Sequence, residues 1–207
     1  MPGLLYDFLT RSAERRVIGP LRSALLADLQ GKIVDVGAGT GANFPYYDRN
    51  AHVLALEPDR SMAQRAKKKL QSASARIDVL ITDDRFLNTL VAGSIDVVVL
   101  TLVLCTIKNP AEALQRVKRA LKPAGILILL EHVRSNGRFG PVQDFISPLW
   151  QFMTCGCHLN RVTSSTVAAA GFDVSELRTK KLSAVSPIQT LIYGRAQITS
   201  FIAPNYT

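Results

Sequence analysis

With 207 residues, of which 47% are apolar, the chain has the length of one domain and enough apolar side chains for a packed core, which excludes a disordered protein. Its three cysteines are too few for a disulfide framework, and no run approaches the roughly 20 apolar residues of a membrane span. The formal net charge of +9 indicates solvated basic faces or attraction to an anionic membrane surface, because no aromatic ladder or nucleic-acid motif accompanies the basic residues.

The first 30 residues are predicted to form two helices that meet near Gly19-Pro20. Leucines recur at helical spacing from Leu4 to Leu29, and the arginines between them permit a weak contact with an anionic membrane surface. An arginine comes early and no long apolar segment precedes it, so the stretch is unlike a signal peptide and we expect a cytoplasmic protein. Tyr6 is a candidate lid over a substrate pocket, with packing against the core as the alternative.

An apolar run from Ile33 to Val36 leads into three alternating glycines and then into a predicted helix. The run is typical of a buried parallel strand, and glycines at every second position allow positive φ and the close approach of a ligand. Such a turn at the start of a helix also exposes free N–H groups that attract anions. We therefore predict a cofactor-binding loop at Gly37, Gly39 and Gly41.

The charge of Asp35 helps to choose the cofactor. The spacing Gly37-x-Gly39-x-x-Ala42 also fits a dinucleotide fingerprint, so a nicotinamide enzyme is one alternative. A carboxylate at the strand end would repel a pyrophosphate. S-adenosylmethionine instead carries an ammonium and a sulfonium for Asp35 to balance, and a carboxylate for the loop amides. The loop therefore favours S-adenosylmethionine.

Polar residues follow the later predicted strands. Glu57 comes after the strand at 51–56, 20 residues beyond Gly37, where a carboxylate can bind the hydroxyls of a ribose. Asp83 and Asp84 follow the third strand, either as a ligand of the adenine amino group or as a helix N-cap. Thr101 follows the clearest buried strand and is a further cofactor candidate. Because ligands of parallel sheets bind at the carboxyl ends of the strands, we expect Asp35, Glu57, Asp83, Thr101 and His132 to gather at this one edge.

Strands and helices alternate through residue 133, which predicts a doubly wound parallel sheet. A helix capped by Thr163 and strand candidates at 172–177 and 189–197 add a C-terminal pair. We predict an α/β fold: a doubly wound, Rossmann-like, mostly parallel seven-stranded sheet with a C-terminal antiparallel hairpin. The single domain, 1–207, divides into a helical cap (1–30), a cofactor-binding core (31–133), a substrate-selecting insertion (134–161), and a C-terminal helix and hairpin (162–197).

From about residue 31 to 196 the chain resembles the class I S-adenosylmethionine-dependent methyltransferases, most specifically at VDVGAGTGANFPYY, which includes Asn43 as a further cofactor candidate. It is similar to the membrane-associated methyltransferase-like group that includes alkyl thiol S-methyltransferases, at GSIDVVVLTLVLCTIKNP, EHV and CHLNR. The resemblance implies methyl transfer to a small apolar acceptor, with a thiol sulfur favoured. The chain lacks the extended apolar N-terminal anchor of the animal members, which argues against permanent membrane insertion.

Two histidines are candidates for helping a thiol ionise, since a free thiol supplies only a few per cent thiolate at neutral pH. His132, after the fifth strand, is the first candidate and His158 is the second, with structural hydrogen bonding as the alternative for both. Cys105, Phe145 and Trp150 are predicted to line the substrate pocket.

The run Cys155-Gly156-Cys157-His158 lacks the distant second pair of a zinc signature, so we expect no metal. Methylation of a phospholipid or quinone-like lipid is the alternative activity. A non-catalytic protein that binds S-adenosylmethionine or S-adenosylhomocysteine is the alternative of another class. The expected partner is a small-molecule acceptor and not a nucleic acid, and the sequence does not indicate the oligomeric state.

Overall fold

The computed structural model describes residues 14–154, 156–182 and 188–199. In these ranges the strands are β1 (Gly31–Val36), β2 (Ala51–Leu56), β3 (Arg76–Leu80), β4 (Ile95–Thr101), β5 (Leu121–Val133), β6 (Phe172–Asp173), β7 (Arg178–Lys181) and β8 (Thr190–Ile198). The α-helices are α1 (Gly19–Leu26), α2 (Arg60–Lys69), α3 (Pro110–Ala120), α4 (Gly140–Met153) and α5 (Thr163–Ala169).

The strands form one twisted sheet in the order β3-β2-β1-β4-β5-β8-β6, with β7 also paired to β8. The first five strands are parallel, and β8 runs antiparallel to β5, β6 and β7. This confirms the doubly wound, mostly parallel sheet with a C-terminal antiparallel part. The strand order reverses between β1 and β4, and ligands of such sheets bind at the carboxyl ends of the strands beside this switch point.

The structure has eight strands in seven positions. Because β5 covers one edge of β8 from residue 190 to 197, both β6 and β7 lie along its other edge. The turn between β6 and β7 passes over Gly194, where a Cβ would lie 2.6 Å from the carbonyl oxygen of Glu176. Only the first two residues of the predicted strand at 172–177 are therefore in a strand, β6, and the others form the turn that leads to β7.

Two apolar cores cover the two faces of the sheet, which explains why β1 is a nearly continuous apolar run. Ile33 packs with α1 and α2, for example with Leu26 and Ala63. Val34 packs on the opposite face with α3, for example with Leu114. The two cores hold the central strands rigidly, so the side chains at their carboxyl ends have fixed positions.

The helix predicted after the glycine loop is absent: residues 37–50, all described, contain only the 3-10 turn Phe44–Tyr46. Pro45 lacks the N–H needed to extend an α-helix, and nine residues separate Gly41 from β2. The prediction is wrong here, and the helix-based argument for an anion site loses its support.

The predicted break near Gly19-Pro20 is also wrong. A π-helical turn, Glu14–Ile18, runs directly into α1, and Ile18 itself has helical φ and ψ of −69° and −44°. Pro20 lies in the first turn of α1, where its missing N–H would have no partner within the helix. The rest of the predicted N-terminal cap, including Tyr6, lies outside the described residues. In the part of the chain that the structure describes, no helix is both long and apolar enough to cross a membrane.

The C-terminal helix differs by one residue from its prediction. Thr163 is the first residue of α5, and Val162 occupies the N-cap position. The Val162 side chain makes no capping hydrogen bond. Gly171 ends the helix as predicted, with a φ of +88°.

Candidate functional site

The site lies at the carboxyl ends of the parallel strands. Asp35 lies near the end of β1, Glu57 directly after β2, Thr101 at the end of β4 and His132 near the end of β5. All four side chains are buried. The sequence prediction that they share one edge of the sheet agrees with this placement, although their hydrogen bonds divide them into separate groups.

Asp35 is the centre of a buried polar network at the switch point. Its carboxylate accepts hydrogen bonds from Asn43 Nδ2, at 3.0 and 3.1 Å, and from the Tyr47 hydroxyl at 2.9 Å. Asn43 Nδ2 also donates to Thr101 Oγ1 at 2.9 Å, which connects β1 to β4. Three of the predicted cofactor residues, Asp35, Asn43 and Thr101, are thus brought together across the switch.

Arg22 of α1 supplies the positive charge of this network. Its guanidinium donates to Thr101 Oγ1 at 2.9 Å and to Asn43 Oδ1. Only 5% of Arg22 is exposed, so it does not belong to a solvated basic face. We refer to Arg22, Asp35, Asn43, Tyr47 and Thr101 as the switch-point network.

Burial dominates the acidity of Asp35. The loss of water around the carboxylate raises its pKa from 3.8 to about 6, against the opposing effects of the Asn43 and Tyr47 hydrogen bonds and the charge of Arg22. Ionised Asp35 therefore lowers the stability of the folded chain, and a positive charge placed nearby would reduce this free-energy cost.

The glycines of the loop have different reasons for lacking a side chain. Gly37, Gly39 and Gly41 all have positive φ, at 69°, 58° and 75°. A Cβ on Gly37 would lie 2.2 Å from Val103 Cγ2, and one on Gly41 would overlap the ring of Phe44. At Gly39, no heavy atom of the described residues lies within 4 Å of a Cβ position. Gly39 is thus the point at which the loop allows a ligand to approach the backbone.

The loop amides are not free to bind an anion as the sequence suggested. Gly37 and Ala38 donate to the carbonyl oxygen of Leu56 at 2.8 and 3.0 Å, and Gly39 donates to Glu57 Oε2 at 2.8 Å. Burial raises the pKa of Glu57, although the backbone N–H donors partly oppose this effect. Glu57 therefore lies beside the open face of Gly39, while the amides hold the loop in shape.

The two acids after β3 both have cationic partners. Asp83 accepts from the Arg85 backbone N–H at 3.0 Å and caps the 3-10 helix Asp84–Thr89, and it also pairs with the Arg85 side chain. This pairing lowers the pKa of Asp83. Asp84 forms a half-buried ion pair with Arg116 of α3 at 2.8 Å. Asp83 is thus a helix N-cap, one of the two alternatives that the sequence allowed. Asp84 instead helps to pack α3 against this 3-10 helix through Arg116.

A second group of side chains brings together two thiols and an imidazole from distant parts of the sequence. Donor atoms of Cys105, His132 and Cys157 all lie within 4.8 Å of one another. His132 Nε2 lies 2.8 Å from Cys157 Sγ, and all three residues are at most 2% exposed. We call these residues the thiol–imidazole cluster.

Hydrogen bonding within the cluster favours one thiolate. The Cys105 and His132 hydrogen bonds lower the pKa of Cys157 to about 4, whereas the pKa of Cys105 is raised. Burial opposes a charged His132, but the hydrogen bond and charge of Cys157 outweigh it and raise the pKa of the imidazole. The cluster thus has the character of an imidazolium–thiolate pair with a neutral second thiol.

Glu131 is buried beside the cluster and fixes the turn that carries Cys105. Its Oε1 accepts from the backbone N–H groups of Val103 and Leu104, both at 2.8 Å. Burial raises the pKa of Glu131 to about 7. The side chain therefore holds the turn in place beneath the cluster.

His158 has a structural role through one ring nitrogen. Its Nδ1 lies 3.0 Å from the carbonyl oxygen of Cys105 and 2.9 Å from that of Gly156, so this nitrogen is a proton donor. Its backbone N–H also donates to the Cys105 carbonyl at 2.9 Å. His158 therefore fastens the Cys157 segment to the turn after β4, in agreement with the structural alternative.

The predicted pocket residues of α4 lie on different sides of the helix. Phe145 is 87% exposed, whereas Trp150 is half-buried against the core. Five residues along a helix correspond to a rotation of about 140°, so both rings cannot face one pocket. Phe145 thus packs on no core of the described residues, and its place in the substrate pocket stays a prediction. Tyr6 and Cys155 lie outside them.

Sequence reasoning missed several members of the site. Arg22 was missed because an Arg among helical leucines resembles a surface residue. Tyr47 was missed because a Tyr in a loop resembles an ordinary core residue. Cys157 was considered only with its neighbours Cys155 and His158. The signal that could have identified its partners is the placement of Cys105 shortly after β4 and of His132 near the end of β5, at the same sheet edge.

Comparisons with known proteins agree with this geometry. Residues 34–129 match a family model described as "Methyltransferase domain". Human thiol S-methyltransferase TMT1B is 32% identical over 171 residues, which are 78% of this chain and 68% of the relative. Rat thiol S-methyltransferase TMT1B is 31% identical over 161 residues, which are 73% and 66% of the two chains. The chain thus spans about two thirds of the length of these relatives.

The fold is also similar to that of solved structures. One from Thermotoga maritima, described as a SAM-dependent methyltransferase and possible histamine N-methyltransferase, matches with a TM-score of 0.67 and 18% identity. The match covers 95% of this chain and 96% of that one. At this level of identity the similarity is one of fold.

Proposed function

We propose that this chain, which belongs to the class I S-adenosylmethionine-dependent methyltransferases, transfers the methyl group to the sulfur of a small apolar thiol. The cofactor supplies a methyl group already activated on a sulfonium. The observation that carries the choice of acceptor is the thiol–imidazole cluster at the same sheet edge as the glycine loop. The name of the relatives, thiol S-methyltransferase, agrees with this choice.

The residues around Gly39 fit the cofactor. Two buried acids, Asp35 and Glu57, face this edge, and Arg22 is the basic side chain in the hydrogen-bonded network of Asp35. The excess of negative charge suits a ligand with an ammonium and a sulfonium. In our proposal Glu57 binds the ribose hydroxyls beside Gly39, and Asp35 balances the positive charge through the switch-point network.

The chain has two tasks in the reaction, because the cofactor's methyl group needs no further activation. It aligns the acceptor sulfur with the methyl group and excludes water. It also favours the thiolate over the thiol, which is the weaker nucleophile. His132 is our candidate for this second task, because its Nε2 lies 2.8 Å from Cys157 Sγ and the interaction with this thiol raises the pKa of the imidazole. Asp83 and Thr101 remain proposed cofactor neighbours.

A direct test is methyl transfer from isotope-labelled S-adenosylmethionine to a series of alkyl thiols, with the alcohols of the same carbon skeleton as controls. We expect methyl thioethers from the thiols and no ethers from the alcohols, because an alcohol is far less acidic. Cofactor binding without turnover of any thiol would contradict the proposal.

A lipid-like acceptor is the second candidate, and one observation favours it. The outer side of α4 exposes apolar side chains at helical spacing, including Phe145, Leu149 and Phe152 at 87%, 65% and 86%. Such a face suits contact with an amphiphile. The same assay with phospholipid and quinone acceptors separates the candidates, since methylation of these compounds in preference to thiols would select the second.

A further inference from the structure

We propose that Cys105, His132 and Cys157 form a binding site for a zinc ion, with the fourth ligand position left for the sulfur of the acceptor. Cys₂His donor sets occur in catalytic zinc sites, where three protein ligands leave one position open. Thiolate and imidazole ligands are also those that zinc prefers. The identity of the fourth ligand rests on the proposed thiol acceptor, whereas metal binding by the three residues does not.

The distances fit this donor set. Tetrahedral zinc with bonds of about 2.3 Å to sulfur and 2.0 Å to nitrogen separates its ligand atoms by about 3.5–3.8 Å. The three donor atoms here lie within 4.8 Å of one another. Cys157 Sγ and His132 Nε2, now 2.8 Å apart, would have to separate by about 0.7 Å as two bonds to the metal replace one hydrogen bond.

The backbone around the donors is already fastened together. His158, next to Cys157, donates twice to the carbonyl of Cys105. The Arg134 N–H, two residues beyond His132, donates to the carbonyl of Arg161 at 3.0 Å and connects the end of β5 to the Cys157 segment. The donors therefore come from three elements but are preorganised, which lowers the cost of binding an ion.

The charge of the cluster also fits a divalent cation. Two thiolates and a neutral imidazole balance the charge of zinc, and in the loaded site zinc, instead of a protonated His132, would favour the thiolate of the acceptor. In the described part of the chain no fourth His, Cys, Asp or Glu donor joins the group. His132 Nδ1 is a buried polar atom without a hydrogen-bond partner among these residues.

The step at this site balances without a change of oxidation state. The acceptor thiol loses its proton to solvent when its sulfur takes the fourth ligand position. A lone pair on that sulfur forms the new bond to the methyl carbon, and the bond from this carbon to the cofactor's sulfonium breaks, leaving its electron pair on the cofactor. The product is a neutral thioether, a poorer zinc ligand than a thiolate, so it leaves.

The first experiment measures metal content. The reduced full chain is equilibrated with zinc alone, passed through a desalting column and analysed by mass spectrometry for zinc. We expect about one zinc ion per chain, and at least a tenfold lower affinity for Cys105→Ser and Cys157→Ser. Cys155→Ser is the matched control and should keep the metal. No zinc in the wild-type chain, or loss in Cys155→Ser with retention in Cys105→Ser, would overturn the site.

The second experiment uses the wild-type chain with cobalt in place of zinc, so it does not depend on the folding of a variant. We expect sulfur-to-cobalt charge transfer and the intense d–d bands of tetrahedral cobalt, and a change in these bands when a small alkyl thiol is added. A spectrum that the thiol leaves unchanged would overturn the open ligand position.

Turnover then separates this inference from the proposed function. If chelator-treated, zinc-free chain methylates thiols at the wild-type rate, thiol methylation stands and the zinc inference is wrong. If zinc binds stoichiometrically and the cobalt spectrum responds to thiols without any turnover, the metal site stands and the proposed function is wrong.

Discussion

Replacing Asp35 with Asn should stabilise the protein without cofactor and weaken its binding of cofactor. Burial raises the folded-state pKa of Asp35 from 3.8 to about 6, so the folded state binds the proton more tightly than the unfolded state. The stability associated with this group is therefore present at low pH and lost as pH rises through about 6. At 1.36 kcal/mol for each pKa unit, the loss amounts to about 3 kcal/mol.

The assay for this effect is denaturant unfolding of the cofactor-free wild type and Asp35→Asn at several pH values. About 2 of the ~3 kcal/mol fall between pH 4.5 and 7.5, so over this range the wild type should lose about 2 kcal/mol more than the variant. Other titrating groups affect both proteins equally and cancel in the difference. If the unfolding free energy changed with pH equally in the two proteins, the argument that burial raises the pKa of Asp35 would be refuted.

Cofactor binding should respond in the opposite direction. Without the Asp35 charge we expect the dissociation constant of S-adenosylmethionine to rise at least tenfold, or about 1.4 kcal/mol, at pH 7.5. Wild-type affinity should also fall below pH 6 as Asp35 takes up its proton, whereas the variant should show no such step. Asp78→Asn, which removes an exposed carboxylate from β3, is the control of equal net charge. Equal affinities of wild type and Asp35→Asn would refute the placement of the cofactor's charge.

Two further predictions concern the residues around this carboxylate. Arg22→Met leaves the buried Asp35 network without its cation and should lower the unfolding free energy by about 3 kcal/mol. Arg16→Met, at an exposed position, is the control and should lower it by less than about 0.5 kcal/mol. Equal effects of the two variants in thermal unfolding would contradict the network. Gly39→Ala should fold, with about 1 kcal/mol of backbone strain, but bind cofactor at least tenfold more weakly, because its Cβ occupies the open face of the loop. Gly37→Ala should instead be severely destabilised by the overlap with Val103, and a well-folded Gly37→Ala that binds cofactor normally would contradict this distinction.

The sheet was predictable from sequence because its signal is local. β-branched and leucine runs such as Ile95–Leu100 identify strands that are buried on both faces, and this strand ends at the polar Thr101. The connections were harder to predict. The glycine loop suggested a following helix by its usual context, but Pro45 and the short distance to β2 prevent one. The π turn before Gly19 likewise depends on i→i+5 bonding that no sequence period indicates.

The site was partly predictable for the same reason. Asp35, Glu57 and Thr101 stand at strand ends, so chain topology alone places them at one edge. The partners of these residues depend on tertiary packing: Arg22 reaches Thr101 across 79 positions, and Cys157 meets His132 across 25. A residue on a helix or in a loop can face the core or the solvent, and composition does not distinguish these cases for Arg22 or Cys157.

The turn after β4 connects the two halves of the site. Thr101 belongs to the switch-point network and Cys105 to the thiol–imidazole cluster, with only three residues between them. Leu102 adopts a positive φ of 56°, a strained conformation for a residue with a side chain, and its N–H donates to the Leu130 carbonyl at 2.8 Å. Glu131 holds the next two amides of the turn. Because both strands and a buried carboxylate fix this turn, rigid backbone sets the spacing between the switch-point network and the thiol–imidazole cluster. The proposed in-line methyl transfer requires such a constant spacing, since small displacements of the reacting atoms greatly reduce the rate.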